Sequence, residues 1–402
     1  MKTKIAAVMI TALLVADLTQ MNVLATAPSG MPGGMPGGGS SSSSITWTGA
    51  TTYTSATSVT GGNYTSATAD ENALLINTSD AVTLTNPVVT KSGGTQASDN
   101  YSFYGINSGV MVKGGGKTNI TGGSVTTSAA GANGVFSFGA NSGSTNAAGD
   151  GTTVNISDTT IDTTGDGSGG IMTTYGGTTV ANNLTVTTSG GSSAPIRTDR
   201  GGGTVTVTGG NYTSSGQGSP AIYSTADITV SDAVLTSNKS EGVCIEGAGS
   251  ITLNNCNLTA SNTSLNGNAT FYDTIMIYQS QSGDASDGTS AFTMKGGTLT
   301  SKKGDTFHVT NTTATITLSD VAITNSSDDV LLSVCDDGWS GASNAATLKA
   351  SSQTLSGEIL VGSDSSLTMS LSDSSTYTGK TGGSIKDDKG TTRSTSVGTL
   401  KM

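Results

Sequence analysis

The feature that most constrains this chain is an octapeptide that occurs twice, VTGGNYTS, at Val59–Ser66 and at Val207–Ser214. Related segments share an apolar residue, a polar corner of Gly, Asp, Asn or Pro, and an apolar or aromatic residue five positions on. They begin at Leu84, Ile120, Ile156, Val230, Leu253, Met294 and Leu318, with looser copies at Val180, Leu348 and Leu371. Most of these twelve units start 23 to 27 residues apart, and insertions lengthen the others. Self-similarity at such a period is typical of a solenoid.

Each unit contains three short segments that have the alternation of β-strands. In the Val230 unit these are Ile228–Val230, Val234–Thr236 and Val243–Glu246, and alternation places Ile228 and Val230 inside and Thr229 outside. Helical periodicity is absent after the first residues. The sequence therefore predicts an all-β fold, a right-handed parallel β-helix of about twelve coils with three short strands per coil. Strands stacked about 4.8 Å apart would make a rod of roughly 50–60 Å.

Composition supports strands joined by many corners and excludes several classes of function. Gly occupies 57 of 402 positions, and only 11% of residues are charged. Thr and Val favour strands, whereas Gly, Asn and Asp favour turns. The net charge of -11 gives no electrostatic basis for binding nucleic acid, which would need a basic surface.

The chain divides into four predicted regions. Residues 1–25 have the pattern of a secretory signal peptide, with Lys2 and Lys4 before the apolar run Ile5–Ala16, which is too short to span a bilayer. Residues 26–44 form a Gly/Ser/Pro-rich linker. Residues 45–379 form the β-helix domain, and 380–402 form a tail or weak cap. We expect a secreted or cell-surface, extracellular monomer without a membrane-spanning segment.

On these repeats, the chain resembles the pectate-lyase-like parallel β-helix superfamily, and within it the Thr/Gly-rich secreted bacterial proteins described as adhesins or carbohydrate-binding surface proteins. The resemblance covers Ile45 to about Gly379. It implies contact with a polysaccharide or glycan, and it specifies the fold better than the activity, because one coil architecture carries lyases, hydrolases and adhesins. Two alternatives stay open, a lyase of uronate polymers with an arginine base and a structural or adhesive rod with a protein partner.

The sequence offers few of the residues that a polysaccharide-cleaving enzyme would need. The resemblance implies Gly-His-Gly and Arg-x-Lys motifs for a hydrolase, but the single histidine, His308, has no flanking glycines and no Arg-x-Lys occurs. The arginine cluster Arg197, Asp199 and Arg200 would suit a lyase or a sugar contact. Alignment of third strands places Arg197, Tyr223 and Glu246 in one outward column. The alternative interpretation of these residues is a set of loose surface ion pairs.

The loop VCDDGWSG, Val334–Gly341, brings two carboxylates next to a ring. Asp336 and Asp337 with Trp339 would suit a Ca²⁺-assisted carbohydrate contact, since Ca²⁺ takes six to eight oxygens. The alternative is an Asp-Gly turn with Trp339 folded over the edge of a coil. Carbohydrate-binding candidates are therefore Arg197, Asp199, Arg200, Tyr223, Glu246 and Trp339; no catalytic residue is assigned, and Ca²⁺ is the one cofactor considered.

Aromatic and cysteine residues allow further expectations. Phe103 and Phe136 are expected to face inward, whereas other aromatic residues near third strands either line a sugar-stacking face or are scattered surface tyrosines. The three cysteines either include a Cys244–Cys256 disulfide or are buried as small apolar groups.

Overall fold

The computed structural model describes residues 45–95, 99–139, 148–339, 344–381, 385–386, 392–393 and 400–401, and every structural statement refers to these ranges. The expected signal peptide and linker, residues 1–44, lie outside the described residues. Only three short pieces of the tail beyond residue 381 lie within them, so its role as a cap stays a prediction.

The described residues form one short helix and a long series of strands. The helix is α1 (Asp99–Tyr104). The strands are β1 (Gly49–Tyr53), β2 (Thr57–Thr60), β3 (Asn63–Ser66), β4 (Asn72–Asn77), β5 (Val82–Thr85), β6 (Val88–Lys91), β7 (Val110–Lys113), β8 (Lys117–Thr121), β9 (Ser124–Thr127), β10 (Val135–Phe138), β11 (Thr153–Ser157), β12 (Thr160–Thr163), β13 (Ile171–Thr174), β14 (Gly177–Thr188), β15 (Ile196–Thr198), β16 (Gly203–Ser214), β17 (Ile222–Ser224), β18 (Asp227–Ser231), β19 (Val234–Ser237), β20 (Val243–Glu246), β21 (Ser250–Ala260), β22 (Asp273–Tyr278), β23 (Thr289–Ser301), β24 (Asp305–Thr310), β25 (Thr313–Ser319), β26 (Ala322–Thr324), β27 (Val330–Val334), β28 (Asn344–Ser351), β29 (Thr354–Ser356), β30 (Glu358–Val361), β31 (Ser365–Ser372), β32 (Thr376–Thr378), β33 (Ile385–Lys386), β34 (Thr392–Arg393) and β35 (Leu400–Lys401).

The strands build a parallel β-helix, which confirms the predicted fold class. Sheet one contains 12 strands in the order β1-β4-β7-β10-β13-β15-β17-β20-β22-β24-β27-β30, and its strands pair in parallel. Sheet two contains the other two segments of most coils, which lie on either side of a corner; in the last two coils the segments after the corner, β29 and β32, form a separate pair. In several coils these segments join into one bent strand, as in β14, β16, β21 and β23. Each segment pairs with the equivalent segment of the next coil.

Inside the coils lies a ladder of like apolar residues. Val205, Ile228, Ile251 and Phe292 follow one another in register and are buried. Thr229, between two inward residues, is half-buried on the outside, as alternation predicts. The sequence pattern thus assigns the two sides of sheet two correctly.

The corner of every repeat unit has a left-handed residue. Its φ lies between 49° and 69° at Gly61, Asn86, Gly122, Asp158, Asn183, Gly209, Asp232, Asn255, Gly296, Asp320, Ser352 and Asp373. Gly, Asn and Asp tolerate this conformation best, which is why the corner is polar. Two of the looser copies begin later than the sequence predicts. The residue paired with Ile156 is Ala181, not Val180, and the residue paired with Leu318 is Ala350, not Leu348.

The two glycines of VTGGNYTS have different roles, which gives a first prediction. A Cβ at Gly209 (φ +66°) would meet nothing nearer than 3.9 Å, whereas a Cβ at Gly210 (φ +92°) would lie 2.3 Å from the carbonyl oxygen of Leu184 on the preceding coil. We expect Gly209→Asn to lower the free energy of unfolding by under about 1 kcal/mol, and Gly210→Asn by about 3 kcal/mol or more. Urea unfolding of both variants checks this, and equal losses would contradict it.

Sheet one is buried on both sides, because inserted segments cover its outer face. One column of its outward residues, here called the outer column, consists of the paired positions Leu75, Met111, Phe136, Met172, Arg197, Tyr223, Cys244, Met276, His308, Ser333 and Leu360. All are at most 7% exposed. Phe103 and Phe136 pack together in this covering layer, not in the inner core, so the expected inward direction of these rings is wrong.

Among the described residues, no helix is both long and apolar enough to cross a membrane.

Candidate functional site

The register of sheet one brings most of the predicted binding residues close together. Arg197 pairs with Tyr223, as expected, but Tyr223 pairs with Cys244. Glu246 lies two positions further along β20, in the next outward column, and pairs with Tyr278. The predicted single column of Arg197, Tyr223 and Glu246 is therefore wrong by two positions, because the register of β20 differs by this amount from the alignment of third strands.

Arg197 and Asp199 form an ion pair beneath the surface. The Arg197 Nε donates to Asp199 Oδ2 at 3.0 Å, and Nη1 donates to the Ser192 carbonyl at 3.3 Å. The guanidinium lies 5.3 Å from the centroid of the Tyr223 ring. Arg197 and Asp199 are each 1% exposed. Burial raises the pKa of Asp199 to about 6, against the opposing charge of Arg197.

Arg200 ties the segment 279–288 to this pair. Its backbone N–H donates to Asp199 Oδ1 at 2.8 Å, and its Nε donates to Asp284 Oδ1 at 2.9 Å. The guanidinium also lies 4.1 Å from the centroid of the Phe103 ring. The Asp284 side chain is 2% exposed, and the Arg200 side chain is 33% exposed. Arg200 is thus the one member of the cluster that reaches solvent.

Glu246 is the centre of a second set of contacts. Tyr223, Ser280 and, at 3.2 Å, Tyr278 donate their hydroxyls to its carboxylate. Burial raises the pKa of Glu246 to about 7, although the Ser280 and Tyr223 hydroxyls favour the charged form. We call Arg197, Asp199, Arg200, Glu246 and Asp284 the buried charge network.

The buried charge network is suited to holding the cover in place. Both guanidiniums are paired with carboxylates, Arg197 with Asp199 and Arg200 with Asp284. Arg197 is 1% exposed, so a sugar could reach its guanidinium only if the surrounding side chains moved. Asp284, Ser280 and Ser282 belong to the segment 279–288, and all three contact the network.

Trp339 lies at the edge of the same covering layer. Its ring centroid is 5.0 Å from that of Tyr278, and Trp339 is 3% exposed. Trp339 therefore joins Tyr223 and Tyr278 in one buried cluster that also contains Cys244. The six predicted carbohydrate-binding residues are thus neighbours, but five of them are buried and the sixth, Arg200, is one-third exposed.

The two aspartates predicted for Ca²⁺ have separate partners. Asp336 is exposed and accepts a hydrogen bond from Asn344 Nδ2 at 2.8 Å. Asp337 is buried, and its Oδ2 lies 3.3 Å from His308 Nε2. Asp337 Oδ1 accepts a 2.6 Å hydrogen bond from the Thr270 hydroxyl. Within the described ranges, no group of three or more His, Cys, Asp or Glu residues has the geometry to hold a metal ion.

His308 links strands β24 and β27 to the loop after β27. Its Nδ1 lies 2.6 Å from Ser333 Oγ, and Ser333 in turn donates to Asp305. Asp305, His308 and Ser333 are the residue types of a hydrolase triad, but all three are at most 7% exposed. Burial acts to raise the pKa of Asp337, yet His308 and Thr270 hold that pKa below its ordinary value.

The cysteines are free thiols. Cys244, Cys256 and Cys335 are all buried, and no disulfide joins Cys244 to Cys256. The interpretation of these residues as small buried groups is the one that the structure favours.

A surface that the sequence analysis missed lies on sheet two, after the corner of each coil. There, outward residues form two parallel columns over ten consecutive paired strand segments. The first column contains Asn63, Val88, Ser124, Thr160, Thr185, Asn211, Val234, Asn257, Thr298 and Ala322. The second contains Thr65, Thr90, Thr126, Asp162, Thr187, Thr213, Thr236, Thr259, Thr300 and Thr324. We call these two columns the threonine face.

The threonine face is open, regular and almost uncharged. All 20 residues are exposed or half-buried, and Asp162 is the only charged one. Val88 and Val234, at 46% and 43% exposed, are the large apolar side chains that stand out to solvent in the described chain, and both lie in the first column. The signal that could have found this face is the Thr that recurs two residues after each corner-proximal strand residue, as in NYT, VVT, SVT and TLT.

Comparison of the chain with protein-family models, with curated proteins and with solved structures found no match in any of the three.

Proposed function

We propose that the protein is a secreted or cell-surface β-helix that binds polysaccharide or glycan without cleaving it, as the adhesin-like resemblance implies. The observation that carries the proposal is the threonine face. Threonine presents a hydroxyl and a methyl group together, so an array of threonines matches the alternation of hydroxyls and C–H groups on a sugar surface. A surface of such uncharged groups can bind a ligand that carries no charge.

The buried residues support binding over catalysis. The arginines that a uronate lyase would use are paired with Asp199 and Asp284. His308, the single histidine, is held between carboxylates. In this proposal, the predicted residues Arg197, Asp199, Glu246 and Trp339 stabilise the cover, and sugar contact takes place on the opposite part of the coil.

A panel of soluble glycans and suspended insoluble polysaccharides tests the proposal. We expect the full chain to bind at least one of them, equally with Ca²⁺ and with chelator, and to release no ultraviolet-absorbing unsaturated uronate from pectate or alginate. Thr236→Lys on the threonine face should weaken the binding. Thr229→Lys, in the strand before the corner of the same coil, should not. Failure to bind any member at high micromolar concentration would overturn the proposal, and uronate release would favour the lyase alternative.

A further inference from the structure

The threonine face differs from the rest of the protein surface in charge. The chain has a net charge of -11, yet one residue of the 20 on this face is charged. The neighbouring outward columns of sheet two carry Lys117, Asp227, Lys295 and Lys349. A face without charge gives no attraction for an acidic polymer such as a polyuronate, and the field of the whole chain would repel it. An uncharged ligand is complementary to this face.

The threonine face is also long and uninterrupted. Its register advances over ten strands without a break, which at about 4.8 Å a step gives a length of roughly 43 Å. Within the described ranges, the insertions α1, 262–272 and 279–288 each lie next to a strand of sheet one in the chain. None of these insertions separates the two columns.

A regular surface such as the threonine face favours a ligand whose chains are already held in one conformation. A single soluble sugar chain would have to lose its conformational freedom along the whole contact, and each half-exposed threonine would contribute little in return. The chains at the surface of a crystalline polysaccharide are already fixed, so many weak contacts can add without that loss. Rigid parallel columns therefore suit a crystal face better than a free chain.

We infer that the threonine face binds the ordered surface of an uncharged crystalline polysaccharide, of the β-linked glucan or chitin class, in preference to soluble or acidic chains. This inference rests on the proposed function and names its ligand class. Ice is the other ordered lattice of hydroxyls, but it offers no apolar groups, whereas the first column mixes polar residues with the exposed Val88 and Val234. A sugar surface, where hydroxyls alternate with apolar ring faces, matches that mixture.

The test compares the same polymer in ordered and disordered form. Binding isotherms of the full chain are measured on microcrystalline cellulose and α-chitin, on acid-swollen amorphous cellulose, on soluble chito-oligosaccharides and on polygalacturonate. We expect binding to at least one crystalline form to exceed binding to the amorphous and soluble forms by about tenfold or more. Equal or better binding to soluble or acidic glycans would overturn the inference and leave the proposed function standing.

A matched pair of variants assigns the face. Thr213→Lys combined with Thr259→Lys places two charges on the threonine face, two coils apart. Thr206→Lys combined with Thr252→Lys places the same charges on the neighbouring face of the same coils, at equally half-buried positions. The first pair should lower crystalline binding about tenfold or more and the second should leave it within about twofold. Equal losses from both pairs, or partition of the wild-type chain into growing ice instead of polysaccharide, would overturn the inference.

Discussion

Replacing Arg197 by methionine is expected to lower the free energy of unfolding by about 3–5 kcal/mol, because it leaves the buried carboxylate of Asp199 without its cation. Arg197 is fully enclosed, so water cannot replace the lost charge. Methionine keeps most of the apolar stem of the arginine. The loss of stability therefore measures the effect of removing the charge, not the effect of opening a cavity. Urea unfolding followed by circular dichroism measures the change.

The double variant Arg197→Met with Asp199→Asn separates the two contributions. It removes both charges, and we expect it to recover about half or more of the stability lost by Arg197→Met alone. If the single and double variants are equally unstable, the loss comes from packing around the arginine, and the assigned role of the ion pair is wrong.

Stability is expected to fall as the pH rises from about 5 to about 8. The pKa values of Asp199 and Glu246 rise from ordinary values of 3.8 and 4.5 to about 6 and about 7 in the folded protein. Between those values the folded state binds more protons than the unfolded state, so a rising pH favours unfolding. A tenfold difference in proton affinity between the folded and unfolded states corresponds to about 1.4 kcal/mol, which makes a loss of several kcal/mol the expected order of magnitude.

Urea unfolding at pH 5, 6.5 and 8 measures this dependence. Glu246→Gln cannot ionise and keeps an acceptor for the Tyr223 hydroxyl, so we expect the variant to show a smaller fall than the wild-type chain. The depressed pKa of Asp337 has the opposite sign, but it acts as the pH falls below about 4 and does not enter this window. A wild-type stability that rises from pH 5 to pH 8 would contradict the assignment.

Much of the fold could be predicted because short stretches of the sequence determine its corners and its strands. The corner residues Gly61, Asn86 and Asp158 need a left-handed backbone, and the inward residues around them alternate with period two. Neither signal depends on distant parts of the chain. Repetition then supplies the long-range pairing, since a strand stacks on its own equivalent.

The covering layer could not be predicted in the same way. Segments such as 262–272 and 279–288 are rich in Ser, Asn, Gly and Asp, a composition typical of loops that carries no packing signal. One signal was nevertheless present in sheet one, where VFSF and DTIMIY are apolar at successive positions and not at alternate ones. Such runs are typical of strands buried on both sides. Arg197 and Tyr223 lie in strands of the same sheet and are buried as well.

The threonine face was missed for a different reason. Each of its residues is an ordinary Thr, Asn or Val, and only the register reveals that they stand in line. A one-position shift in any coil would move its threonine to the inside. The paired Tyr64, Val89 and Val125 of the inner core fix that register, so the inward ladder and the outward column specify each other.

Because each of its ten strand segments adds two outward side chains, the number of contacts that the threonine face can make is set by the number of coils. Binding through many equivalent weak contacts depends steeply on how many can engage at once. Loss or gain of a single repeat would change affinity by a constant factor while leaving the chemistry of each contact as it was. A lineage of such chains could therefore adjust the strength of its attachment by duplicating or deleting a unit of about 24 residues, with no new side chain to invent.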